Sequence, residues 1–85
     1  MRTFTYTIKD ELGIHARPAG MLAKTAKGYA SEITITKGDK TAKASQLMKL
    51  MSLGVKNGDE VIVAAEGPAE DAAIAEMKKF FDENM

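Results

Sequence analysis

The chain is 85 residues long, 45% apolar and 28% charged, with twelve basic and twelve acidic side chains. That is enough for one small domain, residues 1–85, and too little for two; such a chain buries only about 60 to 65% of its unfolded surface, so function belongs on the surface rather than in a large internal cavity. The absence of cysteine excludes disulfides, thiolate nucleophiles, iron–sulfur clusters and cysteine-ligated zinc, and the single histidine leaves no His-rich metal site.

No apolar run approaches the roughly 18 residues of a membrane span, and the N-terminus leads into an alternating segment rather than a signal peptide. A cytoplasmic protein without membrane insertion is therefore expected. Zero net charge recommends neither nucleic acid nor an anionic membrane as a partner. Its distribution is uneven: residues 1–43 hold eight basic and four acidic groups, and residues 44–85 the reverse. This suits an acidic partner docking near the basic part, with solvated surface charge as the plainer alternative.

Phe4, Tyr6 and Ile8 alternate with Thr3, Thr5, Thr7 and Lys9, the period-two pattern of a half-buried strand. After Pro18, Ala19, Leu22, Ala23 and Ala26 recur at helical spacing until Gly28, which predicts a helix over 16–27. Residues 32–37 alternate again, Gly38-Asp39 supplies a turn, and 40–43 read as the return strand of a hairpin. Residues 45–53 predict a short helix stopped by Gly54, with more apolar residues than one buried face accommodates. Asn57-Gly58 marks a turn and 60–66 a strand ended by Gly67-Pro68. The final helix has Glu70 and Asp71 at its positive end, Lys78 and Lys79 towards its negative end, and Ile74, Met77, Phe80 and Phe81 inside. The order β-α-β-β-α-β-α predicts an α+β open-faced sandwich, a four-stranded, mostly antiparallel sheet with helices packed on one face.

The stretch Gly13-Ile14-His15-Ala16-Arg17-Pro18-Ala19 carries the one candidate for chemistry. Proline lacks an amide hydrogen and is tolerated in the first helical turn, so Pro18 sets His15 at or just before a helix start. Free amides and the positive end of the helix disfavour an imidazolium and favour an anion by about 0.3 to 1 kcal/mol. A neutral imidazole is a usable nucleophile, and a phosphoryl group on it would meet helix amides and Arg17. From these residues alone, a His15 that merely caps a helix beside a solvated Arg17 stays open as the alternative.

That heptapeptide, together with Met-Ser-Leu-Gly at 51–54 and the element order, resembles the HPr family, the histidine-containing phosphocarriers of the bacterial phosphoenolpyruvate-dependent sugar phosphotransferase system. The resemblance covers essentially the whole chain. It implies that His15 accepts a phosphoryl group on Nδ1 from phosphorylated enzyme I and passes it to a histidine of a sugar-specific IIA domain. It further implies that Arg17 neutralises the phosphoryl oxygens, Pro18 sets the helix start and Gly54 lies close by. The protein would then be a relay, not an enzyme, and would need no cofactor or metal of its own; magnesium and phosphoenolpyruvate serve enzyme I. A monomer is expected, with regulatory proteins as further partners.

Helix spacing puts Gly20, Met21, Lys24 and Lys27 in register with Arg17, and the short helix offers Leu47, Met48 and Met51, so small, apolar and basic groups would form a docking surface. Core packing is the alternative for the three methionines; flexible methionine surfaces commonly serve several partners. Many family members carry a regulatory phosphoserine just before the apolar part of the short helix. Here that position is Gln46, which has no hydroxyl, and Ser45 is expected to be the helix N-cap rather than a displaced phosphosite. Other readings are a paralogue in a nitrogen-related or dihydroxyacetone phosphorelay, or a regulatory protein-binding module. A hydrolase or metalloenzyme lacks the supporting residues, and an RNA binder lacks the aromatic stacking motif on its central strands.

Overall fold

The computed structural model describes residues 1–9 and 16–84, with side chains given for 1–9 and 19–83. The elements are β1 (Arg2–Thr7), α1 (Ala16–Lys27), β2 (Glu32–Lys37), β3 (Lys40–Lys43), α2 (Leu47–Ser52), β4 (Glu60–Glu66) and α3 (Glu70–Asn84). The strands form one sheet in the order β1-β4-β2-β3, and all three pairings are antiparallel. With the three helices this is the α+β open-faced sandwich.

Period-two alternation fixes which face is buried. Phe4, Val63, Ile35 and Ala42 stand opposite one another across the four strands and point inward. The neighbouring row, Thr5, Ile62, Thr36 and Thr41, points outward, where the Thr36 and Thr41 hydroxyls meet at 2.9 Å. Ile62 is consequently exposed, although its neighbours Val61 and Val63 are fully buried. The helices close the inner face with Ala19, Leu22 and Ala26 from α1, Leu50 from α2, and Ala73, Met77, Phe80 and Phe81 from α3. These positions recur at intervals of three and four, the spacing of one helix face. Tyr6 packs edge-on against Phe81, and burial, followed by the charge of Asp82, pushes its phenol above the ordinary tyrosine value.

The start of α3 is tied down from three directions. The Ala69 N–H donates to the buried Ser31 Oγ at 2.9 Å, Glu70 pairs with the Met1 amine at 3.0 Å, and Arg2 reaches Asp71 at 2.6 Å. The bond from the amine holds the Glu70 carboxyl below its usual range. Gly67 is needed here: its φ is +140°, and a Cβ would lie 3.0 Å from the Ser31 Cα.

Lys78 and Lys79 lie in the second half of α3, towards its negative end as expected; the helix continues to Asn84, and its last turn holds no basic residue. One sequence expectation is corrected. The short helix is Leu47–Ser52, with Gln46 rather than Ser45 as N-cap. The reason is an anchored turn. Ala44 is buried with its N–H on the Ile33 carbonyl, and Gln46 N–H turns back to the Lys43 carbonyl at 3.1 Å. The Gln46 carbonyl then becomes the first to accept a helical bond, from Leu50 N–H at 3.0 Å, which leaves Ser45 in the turn.

Candidate functional site

The site is organised by α1 and α2, which pack against each other. His15 lies outside the described residues, and of Arg17 and Pro18 only the helical backbone is described. The backbone gives the key placement: α1 begins at Ala16, the residue after His15, and runs for 12 residues without an acidic group in its first turn. The amides of that turn have no partners within the helix, and they form its positive end.

Along α1, Ala19, Leu22, Ala23 and Ala26 are buried, while Met21, Lys24 and Lys27 are exposed and Gly20 is half-buried. The Thr25 hydroxyl bonds back to the Met21 carbonyl at 3.0 Å. On α2 only Leu50 is buried; Leu47, Met48 and Met51 are exposed by 36%, 77% and 40%. With Met21 they leave four large apolar side chains at the surface of two contacting helices, with Lys24, Lys27 and Lys49 also exposed there.

Gln46, in extended backbone at φ −111° and ψ 97°, makes no side-chain capping bond, and its side chain is exposed. Gln46→Asp should therefore stabilise the protein by about 0.5 to 1 kcal/mol, since aspartate can accept from the free amides of the first turn. The urea midpoint would rise; an unchanged or lower midpoint would show that position 46 is not a working N-cap.

α2 ends at Ser52, and Gly54, just past its cap Leu53, has a left-handed φ of +67° and turns its N–H back to the Met51 carbonyl at 3.3 Å. The Gly54 carbonyl accepts from Lys37 Nζ at 2.8 Å, and the same ammonium pairs with the Asp59 carboxylate at 3.0 Å. Asp59 also accepts the Lys56 N–H at 2.8 Å. That backbone bond first, and Lys37 second, hold the Asp59 carboxyl below its usual range. A lowered folded value means a stabilisation that is present above the ordinary carboxylate range and lost as pH falls through the folded value. Sequence reading missed Lys37 and Asp59. They are far apart along the chain, and nothing in either one's neighbours announces the other.

Among the described residues, no group of three or more histidine, cysteine, aspartate or glutamate side chains is arranged to hold a metal ion. Among the same residues, no helix is long and apolar enough to cross a membrane.

The family model PTS-HPr, described as the PTS HPr component phosphorylation site, matches residues 2–83. The chain is 38% identical over 79 residues to the phosphocarrier protein HPr of Mycoplasma capricolum, covering 93% of this chain and 89% of that one. The crystal structure of HPr from Thermoanaerobacter tengcongensis superposes with a TM-score of 0.91 at 38% identity, covering 96% of this chain and 92% of that one. The catabolite repression protein Crh of Bacillus subtilis, described as a swapped dimer, gives a TM-score of 0.78 at 30% identity, covering 94% and 92%.

Proposed function

The chain belongs to the HPr family of phosphocarrier proteins of the phosphotransferase system, and we propose that His15 is its phosphoryl acceptor, loaded by phosphorylated enzyme I and unloaded by sugar-specific IIA domains. The observation that carries this reading is the start of a 12-residue helix at Ala16, directly after the only histidine. In the transfer the Nδ1 lone pair of a neutral His15 forms the new N–P bond. The bond from phosphorus to the donor breaks, and its electron pair returns to the donor. The first-turn amides and Arg17 offset the charge that arrives. Each such interaction contributes only about 0.3 to 1 kcal/mol at an exposed site. Modest holding suits a carrier, because a group held too firmly could not be passed on.

Partners dock on the exposed face of α1 and α2, formed by Gly20, Met21, Lys24, Lys27, Leu47, Met48 and Met51, with Gly54 at its border. Methionine side chains adapt to dissimilar surfaces, which suits one carrier serving several IIA domains. The basic groups speed encounter with acidic partners more than they deepen affinity. The chain acts as a monomer in the cytoplasm, without a cofactor, and Gln46 leaves no hydroxyl for seryl control.

The test is a two-step transfer. The chain is loaded with enzyme I, magnesium and labelled phosphoenolpyruvate, freed of enzyme I, and mixed with a IIA domain. The label should leave this chain and appear on the IIA domain. A label that stays on this chain with every IIA domain of the same organism would contradict the relay.

A further inference from the structure

Residues 54–59, in the connection between α2 and β4, are held from two sides. On one side stands Lys37, the last residue of β2, whose ammonium bonds the Gly54 carbonyl at 2.8 Å and the Asp59 carboxylate at 3.0 Å. Lys37 thus grips both the first and the last residue of the segment. The carboxylate oxygen it meets also takes the Lys56 N–H, which folds the segment onto itself. On the other side is the end of β1. The Ile8 N–H donates to the Asp59 carbonyl and the Gly58 N–H to the Ile8 carbonyl, both at 2.9 Å, while Asn57 Nδ2 donates to the Lys9 carbonyl at 3.1 Å. Ile8 and Lys9 lead directly into residues 10–15, which end at His15.

The pair is poorly suited to an ordinary stabilising role. Both side chains are 32% exposed, and ion pairs of that kind contribute about 0 to 1 kcal/mol to global stability. What the pair supplies is geometry. One ammonium with several donors can satisfy a carbonyl and a carboxylate together, and no other donor to the Gly54 carbonyl is found among the described residues. Peptide planarity means that fixing this carbonyl also fixes the Gly54–Val55 peptide plane.

We infer that Lys37, with Asp59, is a positioning pair for the phosphoryl relay: by bracing residues 54–59 at both ends it sets Gly54 at the close of α2 and the Ile8–Lys9 stretch that leads to His15. The inference rests on His15 as the acceptor. Lys37 acts through the backbone it holds and not as a cation for the phosphoryl group, since its charge is already engaged by Asp59.

The test is single-turnover transfer from phosphorylated enzyme I to the wild type, Lys37→Met, Lys37→Arg and Asp59→Asn, each at several acceptor concentrations. Lys37→Met and Asp59→Asn should each lower the saturating rate about three- to tenfold, well short of the hundredfold that an ångström of misplacement can cost. The half-saturating concentration should stay within about twofold, because neither residue is on the exposed face of α1 and α2, and Lys37→Arg should recover most of the rate. Amide resonances of Lys9, Gly54, Val55 and Asn57 should shift in the Met and Asn variants while those of α3 stay in place.

Wild-type rates in both Lys37→Met and Asp59→Asn would overturn the inference. So would a faster Asp59→Asn, the signature of a Lys37 that serves the phosphoryl group directly. Resonances displaced throughout the chain would make the pair merely structural and overturn it too. Failure of the wild type to accept any label would instead remove the acceptor reading, and the positioning role with it.

Discussion

His15→Ala should abolish phosphorylation by enzyme I and phosphoenolpyruvate, with no residual labelling above background. The chain has one histidine and no cysteine, so no second imidazole or thiol is present to take over. Hydroxyls are no substitute, because a neutral serine or threonine needs an adjacent base to become a competent nucleophile. The substitution should leave the fold intact, because the described core is assembled from other residues. Retained labelling in a folded His15→Ala protein would move the acceptor elsewhere.

Phe81→Ala should cost about 3 to 5 kcal/mol, the range for removing a buried phenyl ring. Phe81 is fully buried and meets three rings edge-on: Phe4 at 5.8 Å, Tyr6 at 5.4 Å and Phe80 at 6.3 Å between centroids. The contacts with Phe4 and Tyr6 join α3 to β1, so the cavity would open between a helix and the edge of the sheet. Small domains have only about 5 to 15 kcal/mol of stability in total, and a loss of this size should lower the melting temperature by on the order of 15 °C or more. Ile62→Thr is the contrast: it is similarly apolar but 45% exposed on the outer face, and should change stability by no more than about 0.5 kcal/mol. Equal losses for the two variants would mean that the helices do not cover the face assigned to them.

The elements were legible wherever local chemistry punctuates the chain. Pro18 marks the first turn of α1 and Gly28 follows its end, Gly38-Asp39 separates β2 from β3, and Gly67-Pro68 ends β4; the bounds of these elements agree with the reading. The order of the strands was not legible, because it depends on β4 pairing with both β1 and β2, contacts set by packing across the whole chain. The start of α2 was misplaced because serine is the better N-cap by propensity, while the anchoring of Ala44 against Ile33 assigns that position to Gln46. The surplus of apolar residues on α2 could be read directly, and the structure buries only Leu50 of them. Exposure of Met21 could not be read in the same way, because a methionine between Gly20 and Leu22 fits a buried or an open helix face equally well. The Lys37–Asp59 pair left no trace in sequence, since two surface charges on separate elements become partners only once the sheet has formed.

Phosphorus NMR of the freshly loaded chain, with intact mass before and after mild acid, decides whether the phosphoryl group is carried on the His15 ring. A single phosphoryl group per chain is expected, with the resonance of a ring-nitrogen phosphoramidate, lost in acid and kept in alkali. An acid-stable resonance of a phosphate ester would put the group on a hydroxyl and rule out the ring.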